Sequence, residues 1–282
     1  SKNIAFIPYT SSGIVQDFPR TKSDLQELPK STDRNLGFGF DAKVAVTPSL
    51  NLDVTVNPDF SQVEVDQQQT NLSRFELFFP ERRQFFIENA DLFGNFGFPD
   101  TRAFFSRRIG IARNPRTGLA QQVPIQAGLR LSGKLNNDWR IGVLTMQTRQ
   151  TTIGSDQLPA TNYSVVTAQR KLFTRSAISG FIVNKETFLN DIDPYQQIGL
   201  QAFNRVAGVE FNFFTPDNKW EIESYAHQSI TPEQRPDAAS FGQYIGYHHP
   251  NIDLNFAISR IGENYQAEVG YVPRNGIYST FR

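Results

Sequence analysis

The chain has 282 residues, and its 28 basic residues are balanced by 28 acidic ones. This balance gives no overall attraction to nucleic acid, so we expect no nucleic-acid partner. The absence of cysteine excludes disulfides, thiolate nucleophiles and thiolate metal sites. No apolar stretch approaches the roughly 18 residues that a transmembrane helix needs, which leaves a soluble protein or a β-barrel.

The N-terminal part predicts strands at residues 4–13, 36–48 and 50–58. The alternation is clearest in the last of these, where Leu52, Val54 and Val56 alternate with Asp53 and Thr55. Successive side chains of a strand point to opposite faces, so this segment has one apolar and one polar face.

Residues 57–110 break the pattern with a stretch rich in acidic residues, arginine and phenylalanine, NPDFSQVEVDQQQTNLSRFELFFPERRQFFIENADLF at 57–93. After Asn71 and Ser73, both of residue types that cap helices, phenylalanines recur at helical spacing. Pro80 favours the first position of a second short helix, with Phe85, Phe86 and Leu92 further along. We therefore predict a compact insert, which in a barrel would occupy the lumen as a plug.

From residue 124 onward the sequence predicts a series of strands about as long as the roughly 9–11 residues that cross a bilayer. They lie at 124–134, 138–148, 161–171, 175–185, 204–214, 219–229, 241–248 and 251–260. In one of them Val209, Phe211 and Phe213 oppose Gly208, Glu210 and Asn212. One face of each strand is therefore apolar and the other polar.

The connections between these strands alternate in length. Short turns occur at 135–137, 173–175, 215–218 and 249–250, and long polar segments occur at 149–160, 186–203, 230–240 and 261–275. Trp139 and Trp220 each follow a short turn, which predicts an aromatic girdle at one interface. Short turns at one end and long loops at the other are typical of an outer-membrane barrel, whereas a soluble sandwich or propeller is the alternative.

We therefore predict an all-β fold, an antiparallel up-and-down transmembrane β-barrel in the outer membrane. The chain is expected to form a single barrel domain over 1–282, with the plug segment at 57–110. Its last segment, GIYSTFR, reads as a strand that is cut off. Because an unpaired strand is costly in lipid, the chain is expected to be a piece of a longer polypeptide and its barrel to be partial.

The charged residues of the insert form the candidate site. Acidic and basic residues are nearly matched there and buried charges are normally paired, so we predict a network that holds the plug or a ligand. The residues are Asp59, Glu64, Asp66, Arg74, Glu76, Glu81, Arg82, Arg83, Glu88, Asp91, Arg107 and Arg108. We expect them to pair with one another and with inward-facing residues such as Glu210 and Asn212, and we assign none of them a catalytic role.

Two alternatives for these carboxylates stay open. Glu64 and Asp66 share a strand face about 7 Å apart, and glycosidases use carboxylate pairs at roughly 5–9.5 Å; Glu88 is a further candidate acid or nucleophile. Calcium could be held by hard oxygen ligands, although no EF-hand spacing supports it. The acids considered for calcium are Asp59, Glu64, Asp66, Glu88 and Asp91. Apart from that calcium alternative, we expect no cofactor.

The histidines do not predict a metal site. His227, His248 and His249 are too few, and the adjacent pair would point to opposite faces of a strand. We expect all three to be interface or turn residues.

The long motif at 57–93, FFSRRIG at 104–110 and NYQAEVGYVPR at 264–274 carry a family resemblance. The chain resembles the domain of unknown function 5916, found mainly in Bacteroidota, over essentially its whole length. In that family a carbohydrate-binding-like domain of family nine usually precedes this region and the remainder of an outer-membrane barrel follows it. The resemblance implies a place in the cell envelope and brings no reaction or ligand.

The expected function is uptake, export, gating or surface assembly in the outer membrane of a Gram-negative cell, rather than catalysis. The alternative is a carbohydrate-binding or carbohydrate-active envelope protein that uses paired carboxylates. Expected partners are outer-membrane lipid, other outer-membrane proteins or lipoproteins, and glycans that meet the long loops.

Overall fold

The computed structural model describes residues 3–17, 31–58, 81–94, 96–113, 120–153, 156–190, 192–197, 199–273 and 278–281. These residues form strands with little helix. The strands are β1 (Ile4–Asp17), β2 (Ser31–Thr47), β3 (Leu50–Val56), β4 (Ile111–Arg113), β5 (Ala120–Gln122), β6 (Ile125–Lys134), β7 (Trp139–Thr148), β8 (Thr151–Ile153), β9 (Asp156–Leu158), β10 (Thr161–Leu172), β11 (Ser176–Thr187), β12 (Phe203–Phe214), β13 (Trp220–Ile230), β14 (Ala239–His249), β15 (Ile252–Ile261) and β16 (Tyr278–Phe281).

Twelve of these strands form one antiparallel sheet, in the order β1-β2-β3-β6-β7-β10-β11-β12-β13-β14-β15-β16. The pairs β4–β5 and β8–β9 are separate two-stranded ribbons. Within the described residues β1 and β16 lie at the two ends of the sheet and do not pair with each other. The predicted antiparallel sheet is confirmed, whereas closure into a barrel is not seen.

The helices of the described residues are single turns. They are α1 (Gln84–Ile87), α2 (Asp91–Gly94) and the 3-10 turns Ser106–Arg108 and Pro194–Gln196. No helix in the described ranges has the length and apolar character needed to cross a membrane.

The strand predictions are confirmed to within about two residues at nearly every boundary. The segment predicted at 204–214 is β12 (Phe203–Phe214), and the one at 219–229 is β13 (Trp220–Ile230). The predicted terminal strand is β16, which pairs with β15. The two strands nearest the N-terminus run longer than expected, because each forms a continuous ladder with the other from Ile4 to Asp17.

The second predicted helix differs from the structure. Residues 81–83 are not helical, α1 begins at Gln84, and Leu92 belongs to the separate turn α2. The backbone leaves the helical region between the two turns, where Asn89 has φ 52°. Glu81 uses its carboxylate to accept the backbone N–H of Arg83, which fixes a bend before α1. The helix predicted after Asn71 and Ser73 lies outside the described residues.

Side-chain hydrogen bonds shape the short turns at one end of the sheet. In the turn before Trp220, the Thr215 hydroxyl donates to Asp217 at 2.7 Å and accepts from the Trp220 N–H at 3.0 Å. Hydrogen bonds from Thr215 and Lys219 lower the pKa of Asp217 to about 2. Both Trp139 and Trp220 begin strands at this end, and both are partly exposed, at 37% and 46%.

Residues 81–94 and 96–110 are the described part of the predicted insert and are called the insert from here on. They belong to the connection between the neighbouring strands β3 and β6. This connection starts at the end of the sheet where the long loops lie, and it folds back onto one face of the sheet. We call that face the inner face; on β12 it carries Val206, Gly208 and Glu210. The opposite, outer face of β12 carries Val209, Phe211 and Phe213.

The main core lies between the insert and the inner face. Insert residues Phe86, Leu92, Phe93, Phe96, Phe104 and Ile109 form one buried cluster with Leu144, Met146, Val165, Phe181, Val183 and Val206 of the strands. The polar side chains of the inner face are buried too, among them Arg130, Ser132, Thr167, Glu210 and His227.

The outer face is apolar and exposed. Its large exposed side chains include Ile4, Phe6, Leu36, Phe38, Leu129, Val166, Ile178, Ile182, Val209, Phe241, Ile252, Leu254, Phe256 and Ile258. In a water-soluble sheet the apolar face packs onto the core and the polar face meets solvent. Here the polarity is reversed, because the face that the insert covers is the more polar one.

Candidate functional site

The described part of the predicted charge network begins with a clamp inside the insert. Arg83 donates to both carboxylate oxygens of Glu81, at 2.9 Å and 2.8 Å, and to the backbone carbonyls of Ile109 and Ser106, at 2.8 Å and 2.6 Å. The Ser106 hydroxyl also donates to Glu81. Arg83 therefore joins the two ends of the insert, and its guanidinium carbon lies 4.2 Å from the centre of the Phe86 ring.

Both partners of this clamp are removed from water, with side-chain exposures of 5% for Arg83 and 14% for Glu81. Burial alone would raise the pKa of Glu81, but the hydrogen bonds and positive charge of Arg83 outweigh it, so the net pKa lies below the ordinary 4.5. The pair is thus held charged, and losing either member would leave a buried group without its counterion.

A second set of contacts ties the insert to the sheet. Arg130 of β6 donates to Asp53 of β3 at 3.1 Å and 2.8 Å. It also donates to the backbone carbonyls of Phe85 and Glu88, the latter at 2.6 Å. The Glu88 carboxylate is bound by Lys43 of β2 and lies 3.6 Å from Arg130. The Arg130 guanidinium thereby binds the carbonyl groups at the end of α1, and Arg130 itself is only 2% exposed.

Two further contacts fall on the same side. Asp91 of α2 pairs with Arg140 of β7 at 2.7 Å, and the Asn89 amide donates to the Ser132 hydroxyl of β6 at 3.0 Å. We call β2, β3, β6 and β7 the first wall. Its contacts with the insert are mainly ionic or charge-assisted hydrogen bonds.

The second wall, formed by β11, β12 and β13, holds the insert by different means. Glu210 accepts a hydrogen bond from the backbone N–H of Gly97 and lies 3.4 Å from His227 Nε2. Gly97 has φ +87°, and a Cβ there would lie 2.3 Å from the Thr101 carbonyl, so no other residue fits. The Tyr225 hydroxyl donates to Thr101 at 3.1 Å.

Aromatic rings fill the remaining space at the second wall. Phe96 stacks on Phe181 with centroids 4.0 Å apart, and Phe181 meets His227 edge-on at 4.9 Å. Phe98 makes a similar edge contact with Tyr225 at 4.9 Å. These contacts depend on the shape of the rings, because aromatic pairs favour a small set of stacked or edge-to-face geometries.

The motif NYQAEVGYVPR packs against the part of the insert that contains the motif FFSRRIG. After β15 the chain turns back over the inner face as residues 262–273, here called the return segment. Its backbone bonds to the insert run from Arg102 N to Tyr271 O (3.0 Å), from Tyr271 N to Arg102 O (2.9 Å) and from Phe105 N to Val269 O (2.7 Å). The Arg108 side chain adds a bond to the Gly270 carbonyl at 3.1 Å. The two motifs are parts of one packed unit.

Two adjoining cavities lie between the insert and the strands. The larger, about 420 Å³, is lined by Phe98, Pro99, Asp100, Glu221, Glu223, Tyr244, Ala257 and Ser259. The smaller, about 240 Å³, is lined by Gly94, Gly97, Phe98, Pro99, Arg102, Glu210, Asn212, Glu223, Ser224 and Tyr225. They share Phe98, Pro99 and Glu223, so they lie side by side along the inner face.

The predicted site residues divide into three groups. Asp59, Glu64, Asp66, Arg74 and Glu76 lie outside the described residues, so the carboxylate-pair hypothesis is untested for Glu64 and Asp66. Glu81, Arg83, Glu88, Asp91 and Arg108 take part in the contacts described above. Arg107 is buried at the end of its 3-10 turn, whereas Arg82 is exposed on the insert surface.

Glu210 and Asn212 do face the insert as expected. Glu210, however, meets a backbone N–H of the insert rather than one of its charged side chains. The expectation for His227 was wrong: it is buried on the inner face between Glu210 and Tyr265, because its strand position points inward. His248 lies at a strand end, between Asp253 at 2.9 Å and Glu221 at 3.2 Å.

No group of three or more metal-binding side chains occurs among the described residues. Of the acids considered for calcium, Glu88 and Asp91 are engaged by lysine and arginine side chains. Asp59, Glu64 and Asp66 lie outside the described ranges, and the calcium alternative stays a prediction.

The wall partners Lys43, Asp53, Arg130 and Arg140 were not among the predicted site residues. A signal for two of them is present in the sequence. Asp53 and Arg130 are single charges in the middle of alternating strands, on the side opposite the apolar residues. Buried charges of this kind require partners, so such positions mark where an insert will attach.

Comparison with known proteins gives one family. The family described as a domain of unknown function, DUF5916, matches residues 3–279, and the chain belongs to that family. No curated protein and no solved structure matches the chain.

Proposed function

We propose that the chain forms part of the wall and the plug of an outer-membrane β-barrel, and that it serves transport, gating or surface assembly rather than catalysis. The observation that carries the proposal is the reversed polarity of the sheet. Exposed apolar side chains on one face are unfavourable in water and favourable in lipid.

The two ends of the outer face also suit a bilayer. Near the short turns the sheet carries Trp139, Trp220 and Tyr247, and Trp220 and Tyr247 pack together at 4.8 Å. Aromatic side chains of this kind favour the membrane interface. In the turn between β10 and β11, Phe173 is 81% exposed, an orientation that suits contact with lipid headgroups.

Toward the long loops the outer face becomes polar. Asn162 donates to Thr145 and Gln147 at 3.2 Å, and Arg205 pairs with Glu186 at 3.2 Å in an exposed position. Polar and charged side chains are costly within the hydrocarbon region and tolerated beyond it. On this proposal the long loops lie outside the cell, where glycans or partner proteins would meet them.

The insert would then obstruct the lumen. Its attachment to both walls supports the proposal of a plug that is built into the fold. Gating would require some of these contacts to break. The proposed partners are outer-membrane lipid and other outer-membrane proteins or lipoproteins.

Membrane fractionation of the full-length protein tests the proposal, followed by a gel that compares boiled with unboiled detergent-solubilised sample. Outer-membrane location with a band that shifts on heating is expected, because closed barrels resist detergent at low temperature. Recovery in the soluble fraction, with no shift, would contradict it and would favour a sandwich or propeller.

A further inference from the structure

The larger cavity beside the insert has the make-up of a small-molecule site. Phe98, Pro99 and Ala257 give it apolar walls, and Tyr244 adds an aromatic ring. The Phe98 ring is fixed by its edge contact with Tyr225, so this part of the wall is formed before any ligand arrives. Binding pockets typically combine such walls with a few well-placed polar groups.

The polar groups of this cavity are the hydroxyls of Tyr244 and Ser259 and three carboxylates. Two of these carboxylates have no counterion in the described part of the chain. Glu221 is hydrogen-bonded to His248 at 3.2 Å. Glu223 and Asp100 have no cationic partner among the described residues; Asp100 accepts a hydrogen bond from the Thr101 hydroxyl at 3.2 Å. The Gln243 amide donates to the backbone carbonyl of Glu223 at 3.3 Å and not to the Glu223 carboxylate.

The other carboxylates of the insert differ in this respect from Asp100 and from Glu223 of β13. Glu81, Glu88 and Asp91 each have a lysine or arginine partner in the fold. Partly enclosed carboxylates without a counterion are unfavourable, and a bound cation would remove that cost.

We propose that this cavity binds a small organic cation that carries an aromatic or apolar group. The ammonium would lie beside Glu223 and Asp100, where charge-assisted hydrogen bonds form, and the apolar group would pack on Phe98 and Tyr244. The adjoining cavity, which shares Glu223, would accept a longer chain. The proposal concerns binding alone and stands whether or not the chain spans a membrane.

Calorimetric titration of the full-length protein in detergent with three probes of nearly equal shape tests it. Tryptamine carries an ammonium, tryptophol a neutral hydroxyl and indole-3-propionate a carboxylate. Tryptamine is expected to bind at least about tenfold more tightly than tryptophol, since a hydrogen bond between charged groups adds this much, and the propionate is expected not to bind. Equal binding of the first two, or no binding of tryptamine, would overturn the proposal.

A matched pair of variants locates the site. Glu223→Gln keeps the shape of the side chain and removes its charge, so it should weaken tryptamine binding about tenfold and leave tryptophol unchanged. Glu233→Gln, in an exposed loop away from the cavity, should change neither. If Glu223→Gln alters the melting profile of the protein, Asp100→Asn provides the same test. Tryptamine binding that neither cavity variant weakens would also overturn the proposal.

Discussion

The first and second walls hold the same insert by different chemistry. On the first wall, Arg130, Lys43 and Arg140 bind carboxylates and backbone carbonyls of the insert. On the second wall, the contacts are ring packing and two hydrogen bonds, from the Gly97 N–H to Glu210 and from the Tyr225 hydroxyl to Thr101. Ionic contacts tolerate small shifts in geometry but not loss of charge, whereas packed contacts tolerate neither an added atom nor a lost one. Substitutions at the two walls should therefore fail for different reasons.

The largest effect is expected at the first wall, from Arg130→Met. The change leaves Asp53 buried without a counterion and removes donors from the carbonyls of Phe85 and Glu88, so it should lower the free energy of unfolding by about 3–5 kcal/mol. Urea unfolding in lipid vesicles, followed by tryptophan fluorescence, measures it. The double variant Arg130→Met with Asp53→Leu should recover part of the loss; no recovery would show that the counterion is not the cause.

The clamp within the insert comes next, because it joins the two ends of the segment that contacts both walls. Arg83→Met removes the partner of a largely buried carboxylate and should destabilise the protein by about 3 kcal/mol. Arg82→Met, one residue away and exposed, should cost less than about 0.5 kcal/mol. Single-channel conductance gives a second readout, and frequent openings are expected for Arg83→Met alone. Equal effects of the two changes would refute the clamp.

The second wall is best tested at Gly97. Gly97→Ala adds one carbon at φ +87°, against the Thr101 carbonyl, and a strained backbone of this kind costs about 1–3 kcal/mol. Gly199→Ala is the control, because that glycine also has positive φ but open space around it. The two melting temperatures should therefore differ, with Gly97→Ala the lower. Similar melting temperatures would mean that the contact between the added carbon and the Thr101 carbonyl does not lower stability.

Acid should weaken the clamp in a defined direction. Arg83 holds the pKa of Glu81 below its ordinary value of 4.5. The stability that this carboxylate contributes is therefore fully present above pH 4.5 and is lost as the pH falls through the lowered pKa. The difference in unfolding free energy between the native protein and Glu81→Gln should be constant above pH 4.5 and shrink below it. A difference that grows on acidification would contradict this assignment.

The smallest effect is expected from Lys43→Met. Lys43 and Glu88 are 41% and 36% exposed at their side chains, and exposed ion pairs contribute up to about 1 kcal/mol. High salt should reduce the effect further, since it screens exposed charges. A loss of unfolding free energy as large as that of Arg130→Met would show that burial does not decide how much each first-wall contact contributes.

The strands of the sheet could be predicted in detail because the alternation of apolar and polar residues is visible within each strand. The alternation of Val209, Phe211 and Phe213 with Gly208 and Glu210 sets the two faces of β12 without reference to its neighbours. Loop lengths then set the order of the strands, since short turns join adjacent antiparallel ones.

The contacts of the insert could not be predicted in the same way. Arg130 and Glu88, or Glu210 and Gly97, meet only because the sheet brings distant strands around one segment. The sequence marks Arg130 and Asp53 as inward-facing charges but does not say which insert residue each will meet. The second short helix, predicted to begin at Pro80 and to include Phe85, Phe86 and Leu92, is two separate turns in the structure. Glu88 and Asn89, which lie between these turns, contact the first wall instead.

The central claim is that the outer face of the sheet lies in lipid and the inner face does not. Because the chain has no cysteine, single cysteines along β15 can each carry a fluorophore, in protein reconstituted with lipids brominated on their acyl chains. Positions 252, 254, 256 and 258 should be strongly quenched, and positions 253, 255, 257 and 259 weakly quenched, in strict alternation. Equal quenching along the strand, or quenching of the inner positions, would contradict the account.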